Sequence, residues 1–322
     1  MKYVKLGKTG ETVSEMCLGT MMFGDRCDEA ESDRILATAV DHGVTFVDTA
    51  AMYCQGYTEE ILGRILKGRR DGLFIATKVH KGVDGGSVLE SIDESLARLQ
   101  IDEVDLYLIH WPRVGMRPEE IMRALNGIAA QGKARYVGCC NYPAWLYARS
   151  NAIAAQSNWA PLICNQIPYN LIERGAEVEI LPQAFAEGVA ITTYRPLVMG
   201  ILAGKYEIGV PLPADSRGQT DARIPAWLDK YSESIRRFNQ FAADRGLHPA
   251  QLAIAWVRHS PAVTAPIVGV SSADQLQATV AAFDVDLSDE EYAEVTGLFD
   301  TAVKEEAGGR FPELRRALDL VG

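Results

Sequence analysis

The feature of this 322-residue chain that most constrains its fold is the regular spacing of its apolar, β-rich runs. These runs end near positions 18, 48, 77, 110, 139, 166, 194 and 268. Apart from the last interval they recur about every 30 residues, which is the length of one strand–helix unit. Stretches with helical periodicity lie between them, most clearly at 29–42, 87–99, 118–130 and 143–155. Eight such units predict a parallel sheet covered on both faces, and the chain length favours closure into a (β/α)8 barrel.

The alternative fold is an open, doubly wound sheet. Such a sheet usually carries a glycine-rich phosphate-binding fingerprint directly after its first strand. The segment at that place here, residues 19–24, begins and ends with glycine but does not have the fingerprint spacing. We therefore interpret residues 1–322 as a single α/β domain with the (β/α)8 barrel architecture.

The long interval between the seventh and eighth runs contains an insertion. Residues 209–225 are rich in Pro, Gly, Asp and Ser, which indicates an exposed loop, and residues 226–244 are predicted to be helical. A loop after strand seven of a barrel lies over the catalytic face. The C-terminal segment begins at Ser288 with an N-cap serine and three acidic residues, and it predicts one or two helices packed on the barrel.

Composition limits the possible partners. The net charge of −11 argues against a nucleic acid or an anionic membrane surface, because both require a basic face. No run approaches the roughly 18 apolar residues of a membrane span, and the N-terminus lacks the apolar run of a secretory signal. The six cysteines have no CxxC spacing, so reduced thiols in the cytoplasm are expected, without a metal. A redox role of Cys139 and Cys140 is the minor alternative, and the oligomeric state stays open.

Ionisable residues stand at the ends of three neighbouring runs. Asp48 ends the second run, Lys78 the third and His110 the fourth, while Tyr53 follows Asp48 by five positions. Since the carboxyl ends of barrel strands converge on one mouth, these side chains are expected to meet there. A nearby ammonium stabilises a phenolate, so Lys78 is predicted to lower the pKa of Tyr53 from about 10, and Asp48 to keep Lys78 charged. Tyr53 could then protonate a carbonyl oxygen, or deprotonate an alcohol in reverse.

The motifs around these residues resemble those of the aldo-keto reductase family. The signature comprises VDTAAMY at 47–53, Gly56 and EEILG at 59–63. Further matches in order along the chain are LGKTG at 6–10, LGTM at 18–21, TK at 77–78, DLYLIH at 105–110, GKARYVG at 132–138, NQ at 165–166, YN at 169–170, PL at 196–197 and GKY at 204–206. The resemblance implies a (β/α)8 barrel that transfers hydride from a nicotinamide cofactor, usually NADPH, to an aldehyde or ketone. It makes Tyr53 the general acid, tuned by Asp48 and Lys78, with His110 orienting the carbonyl.

The same resemblance implies a cofactor site and a substrate pocket. Asn141 and Gln166 match the pair that binds the nicotinamide carboxamide, and Tyr194 matches the aromatic residue stacked on the nicotinamide ring. The other expected cofactor contacts are Gly19, Thr20, Met21, Asp48, Cys140, Arg195, Pro196, Leu197, Gly200, Leu202, Lys205, Arg217, Gly269, Ser271, Gln275 and Thr279. The residues expected to contact a small carbonyl or alcohol substrate are Met22, Phe23, Tyr53, His110, Trp111 and Tyr142.

Several positions depart from the family pattern, and three of them bear directly on the cofactor. Cys140 replaces a common serine and is a weaker hydrogen-bond partner for the carboxamide. Arg195 replaces a serine after Tyr194, and as a fixed cation it is expected to pair with the cofactor pyrophosphate. Ser271 stands where related proteins often have an arginine for the 2′-phosphate, so the preference for NADP(H) over NAD(H) should weaken. NADP(H) is the cofactor that family habit favours, and NAD(H) is the alternative.

Two other functions remain open at this stage. One is an NAD-dependent dehydrogenase that works oxidatively on a sugar or a secondary alcohol. The other is a non-catalytic, cofactor-binding regulatory barrel, as in the potassium-channel β subunits that resemble this chain. The complete set of Asp48, Tyr53, Lys78 and His110 favours an enzyme, because a pure binding module needs no tuned acid.

Overall fold

Eight parallel strands form a closed barrel in the computed structural model, which describes residues 1–79, 82, 84–214 and 216–299. The barrel strands are β3 (Cys17–Gly19), β4 (Phe46–Asp48), β5 (Phe74–Lys78), β6 (Val104–Ile109), β7 (Ala134–Cys140), β8 (Leu162–Pro168), β9 (Ala190–Tyr194) and β10 (Ala265–Gly269). Around the ring their order is β10, β3, β4, β5, β6, β7, β8, β9, so consecutive strands are neighbours. This arrangement confirms the predicted (β/α)8 barrel.

Helices connect and cover the strands. They are α1 (Glu29–Asp41), α2 (Tyr57–Ile65), α3 (Gly85–Leu99), α4 (Pro118–Ala130), α5 (Ala144–Ser157), α6 (Ile180–Glu187), α7 (Arg223–Lys230), α8 (Ser232–Asp244), α9 (Pro249–His259), α10 (Ala273–Val280) and α11 (Asp289–Gly297). The four helices predicted most clearly are present as α1, α3, α4 and α5, with ends shifted by no more than two residues. Their starts have local causes, since Asp28 and Asp84 accept N-cap hydrogen bonds and Pro118 stands in the first turn of α4.

The amino ends of the barrel strands are closed by a hairpin that the sequence analysis did not predict. Strands β1 (Tyr3–Lys5) and β2 (Thr12–Ser14) pair antiparallel. Leu6 and Val13 from this hairpin are buried in the same apolar cluster as the side chains that fill the barrel, among them Phe46. The open end of the barrel is therefore the one at the carboxyl ends of the strands, where active sites of this architecture lie.

The insertion after β9 differs in detail from the prediction. The loop contains a short 3-10 turn at Arg217–Gln219 and ends where α7 begins. The single helix predicted for 226–244 is two helices, α7 and α8, because Tyr231 between them leaves the helical conformation and buries its side chain. The predicted C-terminal helix is α11, with Ser288 in a capping box. Residues beyond 299, where a second helix was expected, lie outside the described part of the chain. Among the helices that the structure describes, none has the length and apolar character of a membrane span.

Candidate active site

The four ionisable residues predicted to meet at the barrel mouth lie around the buried ammonium group of Lys78. Lys78 Nζ donates to Asp48 Oδ1 over 2.6 Å, to the backbone oxygen of Thr49 over 2.8 Å and to the Tyr53 hydroxyl over 3.2 Å. Lys78 is fully buried, and the Asp48 side chain is only 3% exposed. The Tyr53 and His110 rings meet edge to face with centroids 6.2 Å apart. The structure thus brings all four together at the barrel mouth, and Thr49 adds a backbone acceptor that no side-chain pattern could reveal.

Tyr53 reaches this position through an unusual turn. It lies five residues after Asp48, in a 3-10 segment at Tyr53–Gly56 that leads directly into α2. The two residues after it, Cys54 and Gln55, have left-handed backbone angles, with φ of 45° and 56°. Such angles are rare for residues other than glycine, and they tend to occur where function requires a particular geometry.

The electrostatics of the group differ from the sequence prediction for Tyr53. Burial raises the pKa of Tyr53 to about 12, and the lowering effect of Lys78 does not outweigh it. The predicted decrease of this pKa is therefore wrong for the protein alone, because exclusion of water disfavours the phenolate more than one ammonium stabilises it. Burial also disfavours the charged form of Lys78, but the carboxylate of Asp48 raises the pKa of Lys78 above its ordinary value. At neutral pH Tyr53 keeps its proton and Lys78 its charge.

Side-chain amides lie next to this group, as the resemblance implies. Gln166 on β8 is buried, and its Nε2 donates to Asp48 Oδ2 over 2.8 Å. Asn141, just after β7, donates from Nδ2 to the His110 backbone oxygen over 3.1 Å and accepts from the Tyr194 hydroxyl over 2.7 Å. Gln166 from β8 and Asn141 from the end of β7 thus lie beside Asp48 and His110. Their amide groups carry donors and acceptors of the kind that a carboxamide would pair with.

Glycines and a short side chain form the floor beside Asp48. Gly19 ends β3 and pairs in register with Asp48 on one side and with Gly269 on the other. Thr20 is buried, and its backbone nitrogen and hydroxyl both donate to the Asp48 backbone oxygen over 3.0 Å. Met21, the next residue, is 37% exposed at the mouth. Gly19 is required for packing at this place, because a Cβ atom there would lie only 2.8 Å from Ile267 Cγ2.

The predicted pyrophosphate residues follow β9. Arg195 has a φ of 60°, its guanidinium carbon lies 4.9 Å from the Tyr194 ring centroid, and its Nη2 is 3.5 Å from Oε1 of the buried Glu173. If Arg195 pairs with a pyrophosphate, as predicted, its guanidinium would be shared between that pyrophosphate and the carboxylate of Glu173. The remaining predicted residues of this region comprise Pro196 and Leu202, which are buried, Leu197, Gly200 and Arg217, which are half-buried, and Lys205, which is exposed.

The predicted adenosine end lies at the start of α10. Ser271 is exposed, and its backbone nitrogen and hydroxyl donate to Gln275 Oε1 over 2.8 and 3.2 Å. The Thr279 hydroxyl donates to the Gln275 backbone oxygen inside the helix, so it is already engaged. Glu31 of α1, which the sequence analysis did not single out, accepts from the Ala273 nitrogen over 2.8 Å and pairs with Arg34 at the same distance. A carboxylate thus stands beside the place expected for a 2′-phosphate.

The predicted substrate contacts divide into exposed and buried residues. Trp111, after β6, is 46% exposed, and Met22 is half-buried. Phe23 and Tyr142 are at most 1% exposed and belong to the hydrophobic core beneath the mouth. Neither of these two is available to a ligand in this structure, because the loops after β3 and β7 turn their side chains inward. Met52, which is 42% exposed, lies just before Tyr53 and adds apolar surface.

Five of the six cysteines are buried, and Cys54 is the exception. Cys139 and Cys140 are buried, and burial raises the pKa of both thiols well above their ordinary value. All six cysteines are free, and the described residues contain no cluster of His, Cys, Asp and Glu arranged to hold a metal ion. In the site itself, a charged lysine between a carboxylate and a protonated tyrosine can stabilise the negative charge that would remain on the tyrosine oxygen after it gives up a proton.

The chain is similar to known proteins over most of its length. A sequence model of the Aldo/keto reductase family matches residues 15–300. An uncharacterized oxidoreductase, YrpG, of Bacillus subtilis is 32% identical over 333 aligned residues, covering 97% of this chain and 99% of that protein. A probable voltage-gated potassium channel subunit beta of Arabidopsis thaliana is 33% identical over 302, covering 88% and 92%. Protein tas of Escherichia coli is 31% identical over 338, covering 92% and 96%.

Proposed function

The chain belongs to the aldo/keto reductase family, and we propose that it is an NAD(P)H-dependent oxidoreductase interconverting an aldehyde or ketone and its alcohol. One observation carries the proposal: Lys78 Nζ contacts both Asp48 Oδ1 and the Tyr53 hydroxyl inside the barrel mouth. A buried ammonium that a carboxylate keeps charged makes the neighbouring phenol a better proton donor. A barrel that only binds a ligand has no need for this arrangement.

The residues at the mouth fit a nicotinamide cofactor, which when bound would supply hydride to the carbonyl carbon. Asn141 and Gln166 have the amide groups to hold the carboxamide, and the Tyr194 ring could stack on the nicotinamide. Lys205 and Arg217 supply positive charge in the segment after β9, where a pyrophosphate would need it.

Tyr53 is the residue proposed to donate the proton. Since burial raises its pKa to about 12, it is protonated at neutral pH, as a general acid for carbonyl reduction must be. Lys78 would stabilise the negative charge that develops on the Tyr53 oxygen as the proton leaves. His110 faces the Tyr53 ring and would orient the carbonyl oxygen. In the oxidative direction, which the sequence left as an alternative, Tyr53 would have to start as the phenolate, so turnover in that direction should require a more alkaline pH.

NADP(H) is the proposed cofactor on family grounds, with weak discrimination against NAD(H). Ser271 offers a hydroxyl where an arginine would hold a 2′-phosphate, and the Glu31 carboxylate stands 2.8 Å from the Ala273 nitrogen nearby. The negative charge of this carboxylate disfavours binding of a 2′-phosphate. Its oxygens can instead accept a hydrogen bond from the ribose 2′-hydroxyl of NAD(H). The six free thiols support the further proposal that the protein acts in the cytoplasm.

A regulatory role is the second candidate, because similar proteins include one named as a potassium channel subunit beta. The two functions can be distinguished by titrating the purified protein with NADPH and with NADH while following intrinsic fluorescence, then assaying a panel of carbonyl compounds. Binding and turnover that is abolished in Tyr53→Phe support the enzyme. Binding without turnover of any carbonyl favours the regulatory barrel, and binding of neither cofactor contradicts both.

A further inference from the structure

The turn that carries Tyr53 must be held by its surroundings. Cys54 and Gln55 are both left-handed, and the following Gly56 has a φ of 98°. Two consecutive left-handed residues that are not glycine are disfavoured in an L-polypeptide, so such a turn persists only where neighbouring contacts over-determine it. At this turn Tyr53 N donates to Ala50 O, Gln55 N donates to Met52 O and Tyr57 N donates to Cys54 O.

A buried carboxylate lies directly behind this turn. Glu59, in the first turn of α2, is fully buried. It accepts from the Thr77 hydroxyl over 2.6 Å and from Arg98 Nε over 2.7 Å. Thr77 immediately precedes Lys78 on β5, and Arg98 belongs to α3. One carboxylate therefore joins the helix that follows Tyr53 to the strand that carries Lys78.

Arg98 also presses against the turn itself. A Cβ atom added at Gly56 would lie 2.9 Å from Arg98 Cδ, so the arginine stem touches the turn backbone. Near the other end of α2, a Cβ atom at Gly63 would lie 2.5 Å from the Arg98 backbone oxygen, so α2 and α3 are in backbone contact. Only glycine permits these two approaches, which fix the position of α2 relative to Arg98.

From these contacts we propose that Glu59, Arg98 and Thr77 form a clamp that positions Tyr53 beside Lys78. Glu59 and its partners touch neither the reacting atoms nor a ligand; they set the 3.2 Å distance between the Tyr53 hydroxyl and Lys78 Nζ. The effect of the clamp on turnover rests on the proposed function, whereas its effect on the turn does not. The contrasting explanation is that this network only stabilises the packing of α2 on α3.

Thr77→Val is the variant that tests the clamp. Valine has the shape of threonine but lacks the hydroxyl, so the change removes one hydrogen bond to Glu59 and leaves the ion pair with Arg98 intact. Truncating Arg98 would instead leave the fully buried carboxylate of Glu59 without its ion pair and endanger folding. Thr77→Ser keeps the hydroxyl and serves as the rescue variant.

Thr193→Val is the matched control. Thr193 is also fully buried, and like Thr77 it lies on the helix-facing side of its strand, next to residues that point into the barrel. Its hydroxyl has no hydrogen-bond partner among the described residues. The same substitution there should therefore change neither the Tyr53 turn nor the activity.

Two readouts follow from the proposal. Amide hydrogen exchange in a peptide spanning 53–57 should accelerate in Thr77→Val and return towards the wild-type rate in Thr77→Ser, with no change in Thr193→Val. The turnover number should fall about tenfold in Thr77→Val with cofactor affinity unchanged, since small displacements of a catalytic group cost large factors in rate.

The outcomes separate this inference from the proposed function. Unchanged exchange at 53–57 together with wild-type turnover in Thr77→Val overturns the clamp, even if Tyr53→Phe is inactive and the proposed function holds. Faster exchange confined to 53–57 supports the clamp even in a protein that reduces no carbonyl, in which case only the proposed function fails. Faster exchange throughout the barrel would overturn the clamp in favour of a purely stabilising network.

Discussion

Gln166 reaches across the barrel to Asp48, with its Nε2 donating to Asp48 Oδ2 over 2.8 Å. The two residues stand on β8 and β4, which lie on opposite sides of the eight-strand ring. Because Lys78 occupies the other carboxylate oxygen, both oxygens of Asp48 are engaged. The amide of Gln166, which is expected to hold the cofactor, is thus hydrogen-bonded to the carboxylate that pairs with Lys78 beside Tyr53.

Gln166→Leu should destabilise the protein by about 1–3 kcal/mol, because it leaves a buried carboxylate oxygen without its donor. Urea unfolding monitored by circular dichroism measures this change. Gln277→Leu is the control, since Gln277 is exposed on α10 and its replacement should change the free energy of unfolding by less than about 0.5 kcal/mol. Equal, small effects of the two substitutions would show that the contact between Gln166 and Asp48 does not contribute to stability.

Tyr53→Phe should reduce turnover by about 10²- to 10⁴-fold, the usual contribution of a general acid, while cofactor affinity stays close to that of the wild type. The change removes only the hydroxyl that Lys78 contacts, and the ring can remain beside His110. Steady-state kinetics and a fluorescence titration on the same preparation provide both values. Tyr57→Phe, four residues along the chain at an exposed position, should retain full activity. Activity of Tyr53→Phe comparable to the wild type would rule out the proposed proton donor.

The raised pKa of Tyr53 predicts how stability depends on alkaline pH. Burial raises this pKa from about 10 in the unfolded chain to about 12, so the folded protein holds the proton more tightly. Its contribution to stability is complete below pH 10 and is lost as the pH rises through 12. The free energy of unfolding should therefore fall across that range, with a slope that Tyr53→Phe reduces by up to about 1.4 kcal/mol per pH unit. Parallel curves for the two proteins between pH 9 and 12 would contradict the pKa increase.

The spacing of the sequence was sufficient to predict the fold and the meeting of four residues. In a barrel built from repeated strand–helix units, all strands are parallel and their carboxyl ends lie at one mouth. Asp48, Lys78 and His110 therefore converge there whatever the conformation of the loops. Tyr53 joins them because only four residues lie between it and Asp48, which keeps it near the same mouth.

The features that the spacing of residues did not predict depend on loop conformation, on tertiary packing and on the exclusion of water. Phe23 and Tyr142 occur in the right places along the chain for a substrate pocket, yet their loops turn both rings into the core. The pKa of Tyr53 depends on how completely the mouth excludes water, which no sequence pattern reports. Tyr231 ends a helix through tertiary packing, because its ring is buried where a continuous helix would not place it.

Glu31 should reduce the preference for a phosphorylated cofactor. If the adenosine end lies near α10, Glu31→Gln should increase the ratio of NADPH to NADH affinity a few-fold, and Ser271→Arg should increase it further by adding a bidentate donor. Fluorescence titrations with both cofactors give the ratio. Glu29→Gln removes a charge from the same helix, where it pairs with Arg64, and should leave the ratio unchanged. An unchanged ratio in both test variants would place the adenosine end elsewhere.

Cys54 should be the one thiol that reacts readily in the folded protein. It is half-buried, whereas Cys17, Cys27, Cys139, Cys140 and Cys164 are buried. Since the thiolate is the reactive form, burial that raises the pKa of Cys139 and Cys140 should also keep them inert. A disulfide-exchange reagent should therefore modify one thiol rapidly in native protein and all six after unfolding, and Cys54→Ser should remove the rapid phase. Rapid modification of Cys139 or Cys140 in native Cys54→Ser would instead restore a redox role for that pair.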